Sequence, residues 1–225
     1  FPMLDMANTG MWPHAAGDTA VIIPDGDDTN SLGSFQMYLN GDFTVGNLYC
    51  GTSNHCLFTA YNDYSSPLLF FVSTNGPVSR IVFTNMQPLS SAGDSRSCYM
   101  GFFQGITLVM SNDLHIFPAT AANPSNYTGQ ADVRLISNSR IMGMGNGLTM
   151  VGPGWLYIGS YGIGDEVWIN DVNEFEAQGL SIHLFGPPFA HLEAPLFMHS
   201  YYDCLLNYNR SYLLMAGEEF DIDIV

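Results

Sequence analysis

The chain has 225 residues and a formal net charge of −16, with 21 acidic residues against five basic ones. Hydrophobic residues make up 47%, which excludes a disordered chain. The five basic residues are all arginine, with no lysine; this excludes a chain that neutralises nucleic-acid phosphates or is held by anionic lipid.

The N-terminus starts Phe1-Pro2-Met3 and reads as a processed or trimmed product. Residues 1–33 are rich in Gly, Pro, Asp and Asn around one apolar run at Ala20–Ile23. They read as an extended N-terminal arm carrying one strand, followed by a single domain over 34–225. Within the arm, Asp25, Asp27, Asp28 and Asn30 concentrate oxygen donors in six residues. Calcium takes six to eight oxygens from such loops, so these four are the candidate metal ligands and calcium the candidate cofactor. The segment is no EF-hand, because Asn30 replaces the loop glycine and Gln36 the terminal glutamate.

Strand signals then dominate. Phe35, Met37 and Leu39 alternate with Gln36 and Tyr38, Asn40-Gly41 follows, and Phe43 and Val45 continue the run. Asn75-Gly76 and Asn146-Gly147 also sit between apolar runs. Asn-Gly suits a type I′ turn, whose two central residues both need positive φ, so the three pairs predict antiparallel hairpins. Further strands are expected at Cys56–Tyr61, Leu68–Ser73, Val78–Thr84, Tyr99–Phe103, Ile106–Met110, Leu114–Phe117 and Val133–Ile136. Others follow at Trp155–Ile158, Glu166–Ile169, Leu180–Phe185 and Tyr212–Met215. The last residues alternate Phe220, Ile222, Ile224 with Asp221, Asp223 and predict a terminal strand with one buried and one acidic face. Asp171–Gln178, capped by Asn170 or Asp171 and stopped by Gly179, predicts a short helix. The chain shows no repeat of 20–50 residues, which argues against a solenoid. The expected fold is therefore all-β: an antiparallel β-sandwich of jelly-roll type with at most one or two short helices. The longest dense apolar run, Leu68–Val72, falls far short of the ~20 residues a membrane span needs.

The chemistry-bearing residues form no strong constellation. Cys50 and Cys56 flank a five-residue loop and could close a small ring, while Cys98 and Cys204 leave three pairings open. His191-x-Glu193 resembles part of a deaminase signature but lacks its Pro-Cys-x-x-Cys partner, and reads as a rim pair near Pro187-Pro188. Ser160 lacks the glycine two residues before it that a nucleophile elbow requires. Gly143-Met-Gly145-Asn-Gly147 reads as a tight turn, not a phosphate loop. Asp165/Glu166 and Glu174/Glu176 are the carboxylate pairs open to glycoside hydrolysis. Trp12, Trp155 and Trp168 offer stacking platforms for a sugar.

These features favour a non-enzymatic structural protein of an extracellular particle: a virion shell, fibre or decoration subunit, or a filament subunit. It would form homo-oligomers or join other such subunits through β-sheet edges and the arm, without nucleic acid or a membrane span. The alternative is a carbohydrate- or receptor-binding module dependent on calcium; the third is a secreted glycoside hydrolase using acidic residues.

Overall fold

The structure is a computed structural model that describes residues 15–22, 34–52, 55–60, 66–85, 98–103, 105–120, 131–151, 155–159, 167–178, 181–185, 190–192, 196–200, 206–209, 213–215 and 220–224, with side chains at most of them as far as Glu176. The first strands are β1 (Thr19–Ile22), β2 (Ser34–Leu39), β3 (Phe43–Val45), β4 (Asn47–Thr52), β5 (His55–Ala60), β6 (Leu68–Phe71) and β7 (Val78–Asn85). Next come β8 (Cys98–Phe102), β9 (Thr107–Met110), β10 (Asp113–Thr120), β11 (Ala131–Ile136), β12 (Arg140–Val151), β13 (Trp155–Gly159) and β14 (Val167–Gln178). The last are β15 (Ser181–Phe185), β16 (Ala190–Leu192), β17 (Leu196–Ser200), β18 (Leu206–Asn209), β19 (Leu213–Met215) and β20 (Phe220–Ile224).

Every pairing among these strands is parallel. Through the first turns of the chain each strand pairs with the third one after it. Three ladders result. The first runs β1-β4-β7-β10, continues through the second halves of β12 and β14, and ends in β17 and β20. The second is the seven-stranded β2-β5-β8-β11-β13-β15-β18. The third runs β3-β6-β9, through the first halves of β12 and β14, to β16 and β19. The chain thus winds as a parallel β-solenoid, and the ladders wrap nearly the whole way round one core.

The antiparallel sandwich and jelly roll are therefore overturned. All-β content holds, and none of the described residues is helical. The hairpin signals fail for a local reason. Among Asn40, Gly41, Asn75, Asn146 and Gly147 none has positive φ, and Gly76 is alone in its pair at φ 152°. None of the three pairs is a type I′ turn, and each lies where the chain passes from one ladder to another.

Asp171–Gln178 is likewise a strand, not a helix. Asp171 takes φ 55°, and Asn146 pairs Val172 while Leu148 pairs Phe175. One extra residue therefore bulges out between two buried positions, and buried Val172 and Phe175 end up three apart, imitating a helical period.

The core is built of columns, because parallel in-register strands stack equivalent positions above one another. One column runs Ala20, Leu48, Ile81, Ile116, Met150, with Ala177, Met198 and Ile222 at the same register positions further on. Another runs Phe43, Leu69, Leu108, Ile141, Ile169. In the second ladder Phe58 and Phe102 stack with ring centres 5.2 Å apart. One coil cannot bury its own apolar face, so neighbours must stack for the fold to exist.

Polar side chains stitch the corners. Asp42 Oδ1 accepts from the Leu68 amide at 2.9 Å, and Asn112 Oδ1 accepts from the Ser73 amide at 2.7 Å. Asn146 Nδ2 donates to the carbonyls of Met110 and Gly143.

Strands at both ends pair on one side only among the described residues, β1, β2 and β3 at the N-terminal end. At the N-terminal end Met37, Leu39 and Val45 are fully buried, although no described strand lies beyond β2 or β3. Residues 17 and 18 close part of that end: the Gly17 amide donates to the Val72 carbonyl, and the Asp18 carbonyl accepts from Gly46 and Asn47. Thr19–Ile22, within the predicted arm, pairs with β4 of its own chain. At the C-terminal end β18, β19 and β20 each pair on one side only, among the described residues.

Candidate functional site

The second ladder carries a polar cluster on its outer face. Register places His55 beside Tyr99, because Cys56 pairs with Met100. Tyr99 pairs with Asp132, and Asp132 with Trp155. In β11 the alternation Asp132-Val133-Arg134-Leu135 turns Val133 and Leu135 into the core and both charges away from it.

Arg134 stands opposite Gly101. A Cβ on Gly101 would sit 2.1 Å from the Phe103 ring, so that ring fills the place of a side chain there, and Arg134 leans back toward Tyr99. Its Cζ lies 3.8 Å from the Tyr99 ring centre, and Nη2 donates to Asp132 Oδ2 at 3.0 Å. The His55 ring stacks on Tyr99 with centres 3.9 Å apart and planes at 24°. Histidine, tyrosine and guanidinium thus form one stack, which a carboxylate closes at the Arg134 end.

The cluster is polar but poorly solvated. Asp132 is 1% exposed, and burial pushes its carboxyl up to about 6 against the pull of the Arg134 guanidinium. Burial, then the Arg134 charge, brings the His55 imidazole down to about 4, so it is neutral at pH 7. Asp132 Oδ1 and His55 Nδ1 are buried with no hydrogen-bond partner among the described residues. The site can therefore accept hydrogen bonds at both atoms, and it holds one acid that changes charge near pH 6.

The first ladder carries a second polar group. Asp113 Oδ1 accepts from the Gly147 amide at 2.9 Å, and a Cβ on Gly147 would lie 3.5 Å from that oxygen and 3.7 Å from Glu174 Oε1. Glu174 thus faces Asp113 across a glycine, while its predicted partner Glu176 acts on His115. Burial and then Arg80 lower the His115 imidazole, with Asp113 and Glu176 opposing them. In the third ladder Arg140 Cζ lies 5.6 Å from the Trp168 ring.

The calcium candidates Asp25, Asp27, Asp28 and Asn30 lie outside the described residues, as do Trp12, Ser160, Asp165, Glu166, Glu193 and Cys204. His191 is on β16 opposite Trp168, and Trp155 is on β13. Residues 143–147 form a bend within β12, with Met144 and Gly145 at positive φ. No group of three or more metal-binding side chains occurs among the described residues, and no helix there is long and apolar enough to cross a membrane.

Tyr99, Asp132 and Arg134 were not legible as a site, because register alone brings them together from strands 33 residues apart. The available signal was two opposite charges at alternate positions of an otherwise apolar strand, Ala131–Ile136. Comparison with family models, with curated proteins and with solved structures finds no match.

Proposed function

We propose that this chain is a non-enzymatic structural subunit of an extracellular assembly, and that its C-terminal coil is the surface through which two copies join. The observation that supports the reading is the strand edge that parallel ladders leave at β18, β19 and β20 among the described residues. At the N-terminal end Met37, Leu39 and Val45 are buried and residues 17 and 18 bond to neighbouring backbone; at the C-terminal end β18, β19 and β20 each pair on one side only among the described residues. Unpaired edges accept further strands. Two copies that meet through this same surface form a closed two-fold dimer.

The charge pattern supports a conditional contact. Asp221 and Asp223 lie on β20, and the whole chain carries −16. Edge-to-edge approach of two copies brings like charges together, so salt or divalent cations strengthen it. An extracellular place accords with the lack of lysine, which leaves five arginines as cleavage points for proteases that cut after basic residues.

Light scattering on a sizing column, at low and high salt and with and without a chelator, tests the reading. It expects a mass of twice 24.7 kDa that is favoured by salt. Monomer under every condition overturns it.

The second reading, a carbohydrate-binding module, draws on the orphaned acceptors Asp132 Oδ1 and His55 Nδ1 beside Tyr99 and Arg134. Sugar hydroxyls would supply the missing donors. A glycan array read on wild type and Asp132→Ala separates the two: specific, Asp132-dependent binding by a monomer favours the module.

A further inference from the structure

Cys50 and Cys56 are six positions apart but belong to different ladders, on β4 and β5. Both face the core and are buried. Cys50 stands in the column Ile22, Cys50, Phe83, and Cys56 in the column Phe35, Cys56, Met100. β4 ends at Thr52 and β5 starts at His55, so the two columns stand on consecutive strands of one coil. Cys50 and Cys56 are free thiols, and the Cys50 thiol together with burial pushes the Cys56 thiol up, which marks them as neighbours. The rest of both columns is apolar.

We propose that Cys50 and Cys56 form an intrachain disulfide that staples the corner between β4 and β5. A disulfide needs two sulfurs brought together with their Cβ atoms about 4 Å apart, and two neighbouring thiols that both point into the core from consecutive strands are candidates for it. The oxidant is a small-molecule disulfide such as oxidised glutathione. One thiol gives up its proton, and its sulfur attacks the glutathione disulfide, releasing one glutathione thiolate. The second cysteine sulfur, deprotonated in turn, attacks the mixed disulfide, forms the Sγ–Sγ bond and releases the second glutathione. The two electrons and two protons of the cysteine pair end in two glutathione thiols.

Burial and the neighbouring thiol hold Cys56 protonated, and the thiolate is the reactive form. Exchange therefore proceeds when the corner opens or before it closes during folding, and the finished bond is shielded from reductant. The staple is independent of whether the C-terminal coil joins two copies.

The test equilibrates the full chain in glutathione buffers from reducing to oxidising, alkylates it in denaturant, and cleaves it before aspartate. Residues 42–62 form one peptide holding both cysteines, and 94–112 another holding Cys98. The expected result is loss of both alkyl groups from 42–62, with a mass lower by two hydrogen atoms, in oxidising buffer. Cys98→Ser leaves this unchanged. Full alkylation of Cys50 and Cys56 across the series, or a bond joining 42–62 to 94–112, overturns the proposal.

Discussion

The Arg134 guanidinium covers the Tyr99 ring at 3.8 Å while holding Asp132 Oδ2 at 3.0 Å. One cation thus serves an aromatic face on the neighbouring coil and a buried acid on its own strand. Removing it strands the carboxylate. Arg134→Met is expected to cost about 3 kcal/mol at pH 8, the lower end for breaking a buried pair. The cost shrinks as pH falls through 6, because Asp132 then takes a proton. Arg134→Lys keeps the charge but loses the planar stack, so its cost is about 1 kcal/mol. Urea unfolding at pH 8 and pH 5 reads both.

His55 and Asp132 give the fold opposite pH slopes. The Asp132 carboxyl titrates near 6 in the folded chain against 3.8 as its ordinary value. The folded chain therefore binds the extra proton between those values, and stability rises as pH falls from 6 to 4, by up to about 1.4 kcal/mol per pH unit. The His55 imidazole titrates near 4 against 6.5. The unfolded chain binds that proton first, so stability falls as pH drops from 6.5 to 4. Relative to each variant, wild type should gain stability on acidification against Asp132→Asn and lose it against His55→Gln. Slopes of the same sign in both comparisons contradict the geometry.

Gly143 lies against backbone on the next coil: a Cβ there would meet the Asp171 carbonyl oxygen at 2.3 Å and Val172 Cα at 2.6 Å. Backbone cannot swing aside as a side-chain tip can. Gly143→Ala is expected to destabilise by about 1–3 kcal/mol. Gly41, with nothing within 4 Å of its Cβ position and no positive φ, should accept alanine within about 0.5 kcal/mol. The urea midpoints of the two variants test this contrast.

Phe58 and Phe102 stack in the core column of the second ladder, and both are fully buried. Phe102→Ala removes a ring from between two coils and is expected to cost about 3–5 kcal/mol. A loss under about 1 kcal/mol, read by the same unfolding experiment, would mean that the column does not hold the coils together.

Much of the strand inventory was legible because inward and outward positions alternate, as at Val78–Asn85 and Phe43–Val45. The way the strands pair was not. Ser34 pairs His55 and Cys56 pairs Met100, steps of 21 and 44 residues. Coils so unequal erase any fixed period, and the absence of a visible repeat argued wrongly against a solenoid. The Asn-Gly pairs suggested hairpins because φ is invisible in sequence. Asp171–Gln178 looked helical because a bulge set Val172 and Phe175 three apart. The candidate site was hidden for a related reason: Tyr99 meets Asp132 only through register, and Arg134 leans back over the Tyr99 ring from a position opposite Gly101.

The assembly reading rests on which end of the solenoid joins, and cross-linking reads that directly. Asp221→Cys and Thr19→Cys are each introduced into a Cys204→Ser background and treated with a short bis-maleimide. Asp221 lies on β20 at the C-terminal end of the ladders, and Thr19 on β1 at the N-terminal end. The account predicts a cross-linked dimer of twice 24.7 kDa from Asp221→Cys, stronger at high salt, and monomer from Thr19→Cys. Monomer from both, or a dimer from Thr19→Cys alone, would contradict it.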